Sequence, residues 1–586
     1  MALFTSVGSG DFDAAATWDV GAGFPGAADT FAIVAGHTVT IPVGLTATSS
    51  GTLTGTGTGT RAVLVINGTF QMTADTTCNA YNQIDLNADA VLDLNGNDLL
   101  YSVNSANNNV LNFVGTANNR CKVKSTVAGG KIDQTVVTVE RIPTKSIIEY
   151  CDFADCGVTR IGSEYANASI FSVRWTTFTR CGQADLGYWV RPGSQYIIEY
   201  VDFRDSKTAT PYVAYIFNQV SGVPGTIRVR YITSDDGSGA GDGDKIRWDM
   251  NSIPRDHIYT KNIQHISQGD FVTNKTVTQS FYNYEGIAEG GGGIETHQDC
   301  YFFSASDNPH TFDKTARIIT DCVVEATYTI ASTDSGDHFI SSASNDMTIT
   351  GTILLDSRGG VLLNVLGFGS TGTIIARNNT IAGDFRSKSG LALNEASGYF
   401  NGTTDLHDNI LYNKVTFAGS NGMNLQTAQD DQITNMDYNS YYDIDNHYTG
   451  CTSATKTPGV TVGYGGNDIA DVDPNFVDGT RSLASWALIE TGVGTAESAI
   501  DHMIKVNGYD SVTESQVVAE QSGADVADLL AYIRAGYTPT NAAYNNTGST
   551  GTWIGAVEPI ISAGGGTGTP EITALDYVNR TNYYIN

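Results

Sequence analysis

The chain has 586 residues, and its 32 basic and 62 acidic side chains give a formal net charge of −30. This charge argues against a nucleic-acid or membrane partner, because nucleic acids and anionic membranes repel an acidic protein. No stretch of the sequence approaches the ~20 apolar residues of a membrane span. Eight cysteines are too few for a disulfide scaffold in a chain of this length, so we predict free thiols. The first residues lack a secretory-signal pattern, from which we expect synthesis in a cytoplasm without signal-peptide export.

Residues 1–45 have the pattern of a cap segment. They contain Trp18, a Pro-Gly-Ala-Ala-Asp turn at 25–29 and a Gly-His-Thr-Val-Thr-Ile strand at 36–41. In this order these residues resemble the glycine-rich first segment of many β-helix proteins, among them polysaccharide-associated extracellular proteins and phage structural proteins. His37 lies in an alternating strand with no second His or Cys nearby, so we interpret it as a structural residue.

Residues 46–480 carry the pattern of a stacked repeat. Short alternating runs broken by Asn-Gly pairs fill 60–101, as in strands joined by tight turns. One ten-residue pattern then occurs three times, and it places Tyr150, Trp175 and Tyr200 at intervals of 25 residues. A period of this size indicates units that bury a core only by stacking. Because each copy is β-branched and aromatic, we predict an all-β fold, a single-stranded parallel β-helix.

Charged positions of the repeat alternate in sign from one copy to the next. The two alternating columns are Glu149, Arg174 and Glu199, and Asp155, Arg180 and Asp205. If the copies stack in register at the strand spacing of ~4.8 Å, each charge meets its opposite in the neighbouring coil. The same register predicts one buried column of Phe153, Phe178 and Phe203. Further along, Asn379 and Asn409 precede apolar strands at an interval of 30 residues, which predicts an asparagine ladder.

The pattern changes after residue 480. Residues 496–505 and 522–534 space their apolar side chains as helices do. We therefore assign 481–560 to a helical cap that covers one end of the stack and to a closing strand.

The order of motifs from residue 471 to residue 557 resembles the closing segment of right-handed β-helix proteins that phages and prophages encode. An Asp-Pro-Asn-Phe-Val-Asp run, two helices, an Arg-Ala-Gly-Tyr-Thr-Pro-Thr-Asn run and an Ile-Gly-Ala-Val run follow one another. The resemblance implies a right-handed coil with a small helical segment near the C-terminus. It also implies a tailspike-like or fibre-like virion surface protein, made in the host cytoplasm and released by lysis. Its expected partners are other virion proteins and further copies of itself, with a trimer favoured.

The last residues divide into a linker and an arm. Residues 561–569 are rich in Gly and Thr, as flexible linkers are. Residues 570–586 are too apolar for a solvated tail and too few to fold alone. We predict that this arm attaches the chain to a partner or exchanges with another subunit; a fold-back onto its own chain is the alternative. The apolar side chains assigned to attachment are Ile572, Leu575, Tyr577, Tyr583 and Tyr584.

Candidate chemistry is sparse, because the sequence holds no nucleophile-elbow, metalloprotease, phosphate-loop or Cys-x-x-Cys motif. Asp152 and Asp202 lie two repeats apart, roughly 9–10 Å in a straight stack. Such a separation suits the acid and base of an inverting glycosidase, although solvated surface carboxylates are the competing interpretation. Tyr150, Trp175 and Tyr200 are candidates for stacking on sugars.

An acidic loop offers oxygen ligands of the kind that Ca²⁺ prefers. Its candidate ligands are Asp235, Asp236, Asp242 and Asp244. Because their spacing matches no established calcium loop, we expect a chain that needs no cofactor.

Three functions remain open at this point. The first is a non-catalytic virion surface protein that adsorbs to a host surface polysaccharide. The second is a polysaccharide depolymerase, either a hydrolase or a lyase, built on the same scaffold. The third is a head or tail decoration protein without glycan binding. We favour the first, which makes the chain a binding protein rather than an enzyme.

Overall fold

A computed structural model gives the fold of two compact units. The residues that it describes are 2–21, 23–55, 60–79, 81–101, 109–134, 145–157, 159–161, 170–182, 184–186, 189–190, 195–204, 214–220, 226–235, 245–250, 255–261, 264–267, 275–283, 288–289, 294–304, 310–312, 316–326, 340–342, 346–356, 363–365, 373–383, 385, 389–393, 403–416, 419–425, 433–449, 465–507, 526–545, 547–549, 551 and 553–560. The first unit contains Met1–Gly269 and Ile504–Glu520, and the second contains Asp270–Met503 and Gln521–Asn586.

The first unit is a parallel β-helix whose coils contribute strands to three parallel sheets. The first sheet consists of Gly10–Asp11, Thr38–Ile41, Ala62–Ile66, Asn82–Leu86, Val110–Val114, Lys145–Glu149 and the first halves of Ile170–Thr179, Gln195–Arg204, Thr226–Asp235 and Arg255–Lys261. The second sheet consists of the first half of Thr46–Thr54, then Thr69–Met72, Val91–Asp93, Cys121–Lys124, Cys151–Ala154 and the second halves of the same four long strands. The third sheet consists of Leu3–Thr5, Thr30–Val34, the second half of Thr46–Thr54, Thr76–Cys78, Leu99–Tyr101, Ile132–Gln134, Thr159–Arg160, Ala184–Asp185, Ala214–Val220, Lys245–Met250 and Gln264–Ser267, with Trp189–Val190 beside Ala214–Val220.

The second unit repeats this three-sheet plan. Its first sheet consists of Lys275–Thr278, Ile294–Gln298, Ala316–Thr320, Met347–Thr350, Thr373–Arg377, Thr403–His407 and Ile433–Asn435. Its second sheet consists of Phe281–Asn283, Tyr301–Ser304, Val323–Ala326, Ile353–Asp356, Thr380–Gly383, Ile410–Asn413, Ser440–Tyr442 and Ile469–Ala470. Its third sheet consists of His310–Phe312, Ile340–Ser342, Leu363–Val365, Ser389–Leu393, Asn421–Leu425 and Asn446–Thr449, and Ala288–Glu289 is a further short strand.

Three helices follow the strands in the described part of the chain, namely α1 (Leu483–Thr491), α2 (Ala496–Asn507) and α3 (Val526–Gly536), and 3₁₀ turns lie at Ala15–Thr17 and Ala542–Tyr544. The prediction of a parallel β-helix with a small helical segment near the C-terminus is confirmed. Helix α1 has no amphipathic pattern, because it buries Leu483 but exposes Leu488 and Ile489 by 57% and 63%. Residues 554–557 form bends, and the described part of 481–560 contains no strand that corresponds to the predicted closing strand.

The first coil of the first unit is filled by aromatic rings. Trp18 is 2% exposed, and its indole N–H donates to the carbonyl of Phe12 at 2.8 Å. Phe4, Phe12 and Phe31 surround the indole at centroid distances of 5.4 to 6.4 Å. The imidazole Nδ1 of His37 lies 2.8 Å from the hydroxyl of Ser6, as expected of a structural histidine.

Helix α1, helix α3 and the residues after α3 lie along the second sheet of the second unit, not over one end of the stack as predicted. The strands Val323–Ala326 and Thr380–Gly383 are therefore buried at every position, on both faces. The Leu483 N–H at the start of α1 donates to the Glu325 carboxylate at 2.8 Å. Arg534 of α3 donates to the carbonyl of Gly351 at 2.8 Å. The residues after α3 contact the coils that follow, at Asp408 and Ser440. These residues therefore cover the outer face of one sheet rather than an open strand edge.

The predicted register of the repeat is confirmed in the first unit. Arg174 lies opposite Glu149 in one neighbouring coil and Glu199 in the other. Its guanidinium is 3.9 Å from the Glu149 carboxylate and 3.2 Å from that of Glu199. Arg180 forms two hydrogen bonds with Asp155, at 2.8 and 2.7 Å, whereas Asp205 lies outside the described residues.

Replacing Arg174 by glutamate is expected to lower the free energy of unfolding by about 2 kcal/mol, more than the ~1 kcal/mol of an exposed pair. The reason is that the Glu199 side chain is only 1% exposed, so a third carboxylate would face a buried charge. Urea unfolding of the wild type and of Arg174→Glu measures the difference, and Arg174→Gln, which removes the charge without inverting it, is expected to lose about half as much. Equal stability of all three proteins would show that the column carries no electrostatic energy.

Candidate functional site

A ladder of aromatic side chains marks the bend between the first two sheets of the first unit. Its members occupy consecutive coils and all have left-handed backbone: Tyr150, Trp175, Tyr200, Tyr231 and His257, with φ from 48° to 57°. Such a backbone costs a non-glycine residue roughly 1–2 kcal/mol. Stacking between the rings offsets this cost, since adjacent centroids are 4.5 to 5.6 Å apart.

This ladder changes the role predicted for Tyr150, Trp175 and Tyr200. Trp175 stacks on Tyr150 at an interplanar angle of 8° and on Tyr200 at 4°. Both faces of the indole are thus covered by neighbouring rings, and Tyr200 is covered in the same way by Trp175 and Tyr231. A sugar ring stacks on a free aromatic face, so these residues offer a glycan their edges rather than their faces.

Asp152 and Asp202 occupy one column of the second sheet, with Thr177 between them. Asp152 accepts from the Thr177 hydroxyl at 2.7 Å and from the Arg120 guanidinium at 2.8 Å. The Asp202 side chain is 2% exposed and lies 3.0 Å from the Arg204 guanidinium. A pair that divides acid and base roles needs access to substrate, and Asp202 lacks it. Both carboxylates instead form ion pairs, Asp152 with Arg120 of the neighbouring coil and Asp202 with Arg204 of its own strand.

Arginines gather around Glu199 on the first-sheet side of the same bend. The Glu199 carboxylate lies 2.8 Å from the Nε of Arg230, 3.2 Å from the Nε of Arg174 and 3.9 Å from an Nη of Arg228. Glu199 is 1% exposed, while the side chains of Arg174, Arg230 and Arg228 are 30%, 36% and 55% exposed. The carboxylate thus lies beneath a layer of guanidinium groups that reach solvent.

The repeat predicted only part of this cluster. The position of Arg174 follows from the period of 25 residues. Arg228 and Arg230 lie 31 residues after their register partners, Ile197 and Glu199. The strands Gln195–Arg204 and Thr226–Asp235 nevertheless pair in register, so the longer interval does not displace Arg230 from Glu199. The sequence Ile-Arg-Val-Arg-Tyr-Ile at 227–232 does predict a strand-bend-strand coil, in which Tyr231 takes the aromatic position, but it does not show that Arg230 lies opposite Glu199.

The remaining predicted site residues lie mostly outside the described part of the chain. Of the calcium candidates, the backbone of Asp235 ends a described strand, and Asp236, Asp242 and Asp244 lie outside the described residues, as does the whole arm at 570–586. Within the described residues no group of three or more His, Cys, Asp or Glu side chains is placed to hold a metal ion.

The second unit brings together a serine, a histidine and aspartates. The Ser549 hydroxyl donates to Asp408 at 2.6 Å and lies 3.2 Å from His407 Nδ1. His407 contacts Asp408 at 2.6 Å through Nδ1 and Asp405 at 3.3 Å through Nε2. Burial opposes the charged imidazole, but these carboxylates outweigh it and raise the pKa of His407 to about 9.

This arrangement cannot activate Ser549 as a nucleophile near neutral pH, because a charged imidazole accepts no proton. Instead it ties the segment after α3 to a coil. The Ser549 N–H also donates to Asp408 at 2.8 Å, and the Gly555 N–H donates to the Asp408 carbonyl at 2.8 Å. We name the group of Asp405, His407, Asp408 and Ser549 the histidine clasp.

The clasp makes stability depend on pH. Because folding raises the pKa of His407 from 6.5 to about 9, its contribution of about 3 kcal/mol is full below pH 6.5 and is lost as the pH rises through 9. We expect His407→Gln to be less stable than the wild type at pH 6, and this difference to shrink by about 3 kcal/mol at pH 10. Urea unfolding at both pH values measures it; a difference that is constant with pH would contradict a charged His407.

The seven described cysteines are free and buried, as predicted for thiols in the stack. None of the described helices is long and apolar enough to cross a membrane. The chain matches no known protein family, no curated protein and no solved structure.

Proposed function

We propose that the protein is a non-catalytic component of a bacteriophage particle surface, tailspike-like or fibre-like, that adsorbs to a host surface polysaccharide. The observation that carries this proposal is that, within the described residues, the side chains able to catalyse a reaction are engaged in ion pairs and hydrogen bonds with the protein itself. Asp152 and Asp202 are held in ion pairs, His407 is charged and clasps the end of the chain, and Glu325 is buried beneath α1. These groups stabilise the coils rather than face a substrate.

A stack of coils joined in this way is suited to a structural role. Ion pairs, aromatic rings and asparagine amides each continue from coil to coil, so neighbouring coils are connected by more than their backbone hydrogen bonds. The acidic balance of the chain favours solubility outside the cell. Glycan adsorption would then use the outward surface of the coils.

The arm at 570–586 is the proposed means of attachment to other virion proteins or to further copies of the chain. Its apolar side chains follow a linker of about eight residues that spans roughly 15 Å. Deletion of 570–586 is expected to leave the folded coils intact, as judged by circular dichroism and thermal unfolding, and to abolish incorporation into particles. Normal incorporation of the shortened chain would refute this role for the arm.

The location is tested on particles from the lysate in which the protein is made. Immunogold labelling with antibodies against the chain is expected to decorate the particle surface. Protein found only in the particle-free fraction would overturn the proposal.

A second experiment, on the purified chain, separates binding from catalysis. The purified chain is expected to bind host envelope polysaccharide without releasing reducing ends or unsaturated sugars. Release of either product by the wild type, and its loss in Asp152→Asn or Asp202→Asn, would replace the proposal with a depolymerase.

A further inference from the structure

We propose that the arginines around Glu199 bind an acidic polysaccharide, one whose sugars carry carboxylate groups. This inference rests on the proposed function, because it names the chemical class of the glycan. The site consists of Arg174, Arg228 and Arg230, which we call the arginine layer.

The arginine layer is organised from beneath. Glu199 is almost fully buried and lies within 3.9 Å of all three guanidinium groups. The guanidinium carbon of Arg174 is also 4.3 Å from the centroid of the Trp175 ring, and that of Arg230 is 5.3 Å from the centroid of the Tyr231 ring. Contacts with a carboxylate and with aromatic rings restrict the arginine rotamers before a ligand arrives, which lowers the entropy lost on binding.

The arginines of the layer differ in the acidic residues beside them. Glu149, 25% exposed, lies 3.9 Å from Arg174, and Asp256 occupies the register position next to Arg230. Arg228 differs, because its column in the first sheet continues through Ile197, Ser172 and Ile147, which carry no charge. Its guanidinium is the most exposed of the three at 55%. Arg228 is therefore the group best placed to pair with a carboxylate from solvent.

The chemistry of the layer selects the ligand class. A guanidinium presents paired N–H donors that match the two oxygens of a carboxylate. Arg174 and Arg230 lie two coils apart, roughly 9–10 Å along the stacking direction, so the layer extends in the direction of the stack. Such an array suits a polymer with regularly repeated negative charges better than a single sugar.

The layer also resolves a conflict with the charge of the chain. A net charge of −30 repels an acidic polymer at long range, so binding requires a local cationic surface at short range. We expect the affinity to depend on ionic strength, because screening weakens both the repulsion and the contact.

The test measures binding of the full chain to immobilised polygalacturonate, with dextran as the uncharged polymer. We expect the wild type to bind polygalacturonate and not dextran. We expect Arg228→Gln to bind polygalacturonate with at least fivefold lower affinity. Because Arg228 is the most exposed of the three arginines, its replacement disturbs the fold least. The matched control is Arg377→Gln in the second unit, since Arg377 is 41% exposed and paired to Asp405 at 3.3 Å. This variant is expected to bind like the wild type, and unchanged thermal unfolding midpoints verify that both variants are folded.

Equal affinity of Arg228→Gln and the wild type, or equal binding of dextran and polygalacturonate, would overturn the inference. Host polysaccharide then separates it from the proposed function. Binding to that polysaccharide that Arg228→Gln does not weaken refutes the arginine layer and leaves the proposed function standing. If the chain binds no polysaccharide and immunogold labelling does not find it on particles, both the arginine layer and the proposed function are refuted.

Discussion

Replacing Asn409 by alanine is expected to lower the free energy of unfolding by about 4 kcal/mol, because several buried polar groups lose their partners at once. Asn409 is fully buried between Asn379 and Asn439. Its side-chain oxygen accepts from the N–H and from the amide nitrogen of Asn379, at 3.2 and 3.0 Å. Its own amide donates to the Ala376 carbonyl at 2.8 Å and to Asn439 at 3.0 Å.

Urea unfolding of the wild type and of Asn409→Ala measures this loss. The matched control is Asn446→Ala, since Asn446 also bonds an asparagine of the neighbouring coil, Asn421 at 3.2 Å, but at an exposed position. Its replacement is expected to change stability by less than about 0.5 kcal/mol. Equal losses in the two variants would mean that burial adds nothing to the ladder.

Truncation of Phe178 to alanine is expected to cost roughly 3–5 kcal/mol, as for other buried phenylalanines. Phe178 is 1% exposed, and its ring stacks on Phe153 at 4.7 Å and on Phe203 at 5.3 Å. Alanine would leave a cavity between two rings that the parallel strands keep in place. The register prediction of one inward phenylalanine column is confirmed by these contacts.

Phe178→Leu separates the volume of the side chain from its aromatic stacking. It keeps most of the buried apolar volume, and we expect it to cost about half as much as alanine. Thermal and urea unfolding of both variants provide the comparison. A loss below about 1 kcal/mol for alanine would show that the coils close over the cavity.

The sequence allowed the strands and their register to be predicted where the interval between coils is constant. Charges that alternate at Glu149, Arg174 and Glu199 placed three coils in register, and Asn379 and Asn409 indicated the ladder that the structure extends to Asn439. Where intervals change, the strands keep their register while the intervening residues vary in number. Arg230 therefore escaped a prediction based on period alone, although it lies opposite Glu199.

The position of the C-terminal helices could not be predicted from helical periodicity, which shows that a helix has an apolar face but not what it covers. The strands held the missing information. The sequences Val-Val-Glu-Ala at 323–326 and Ile-Leu-Leu-Asp at 353–356 do not alternate apolar with polar residues, and in the structure all four residues of Val323–Ala326 are buried. A strand without alternation indicates a covered outer face, and this pattern in successive coils could have placed α1 and α3 beside the sheet.

The path of the chain after α3 has a mechanical consequence. Arg534 of α3 contacts Gly351, and the residues after α3 contact Asn378, Asp408 and Ser440, so this part of the chain is joined to coils that follow one another in the stack. A force applied at the C-terminal end of a simple solenoid peels away one coil after another, and each step breaks only one set of contacts. Here the same force is shared in shear by ties to several coils, so they must yield together. A pull on the residues after α3 would therefore strain these coils of the second unit together before any one of them came away.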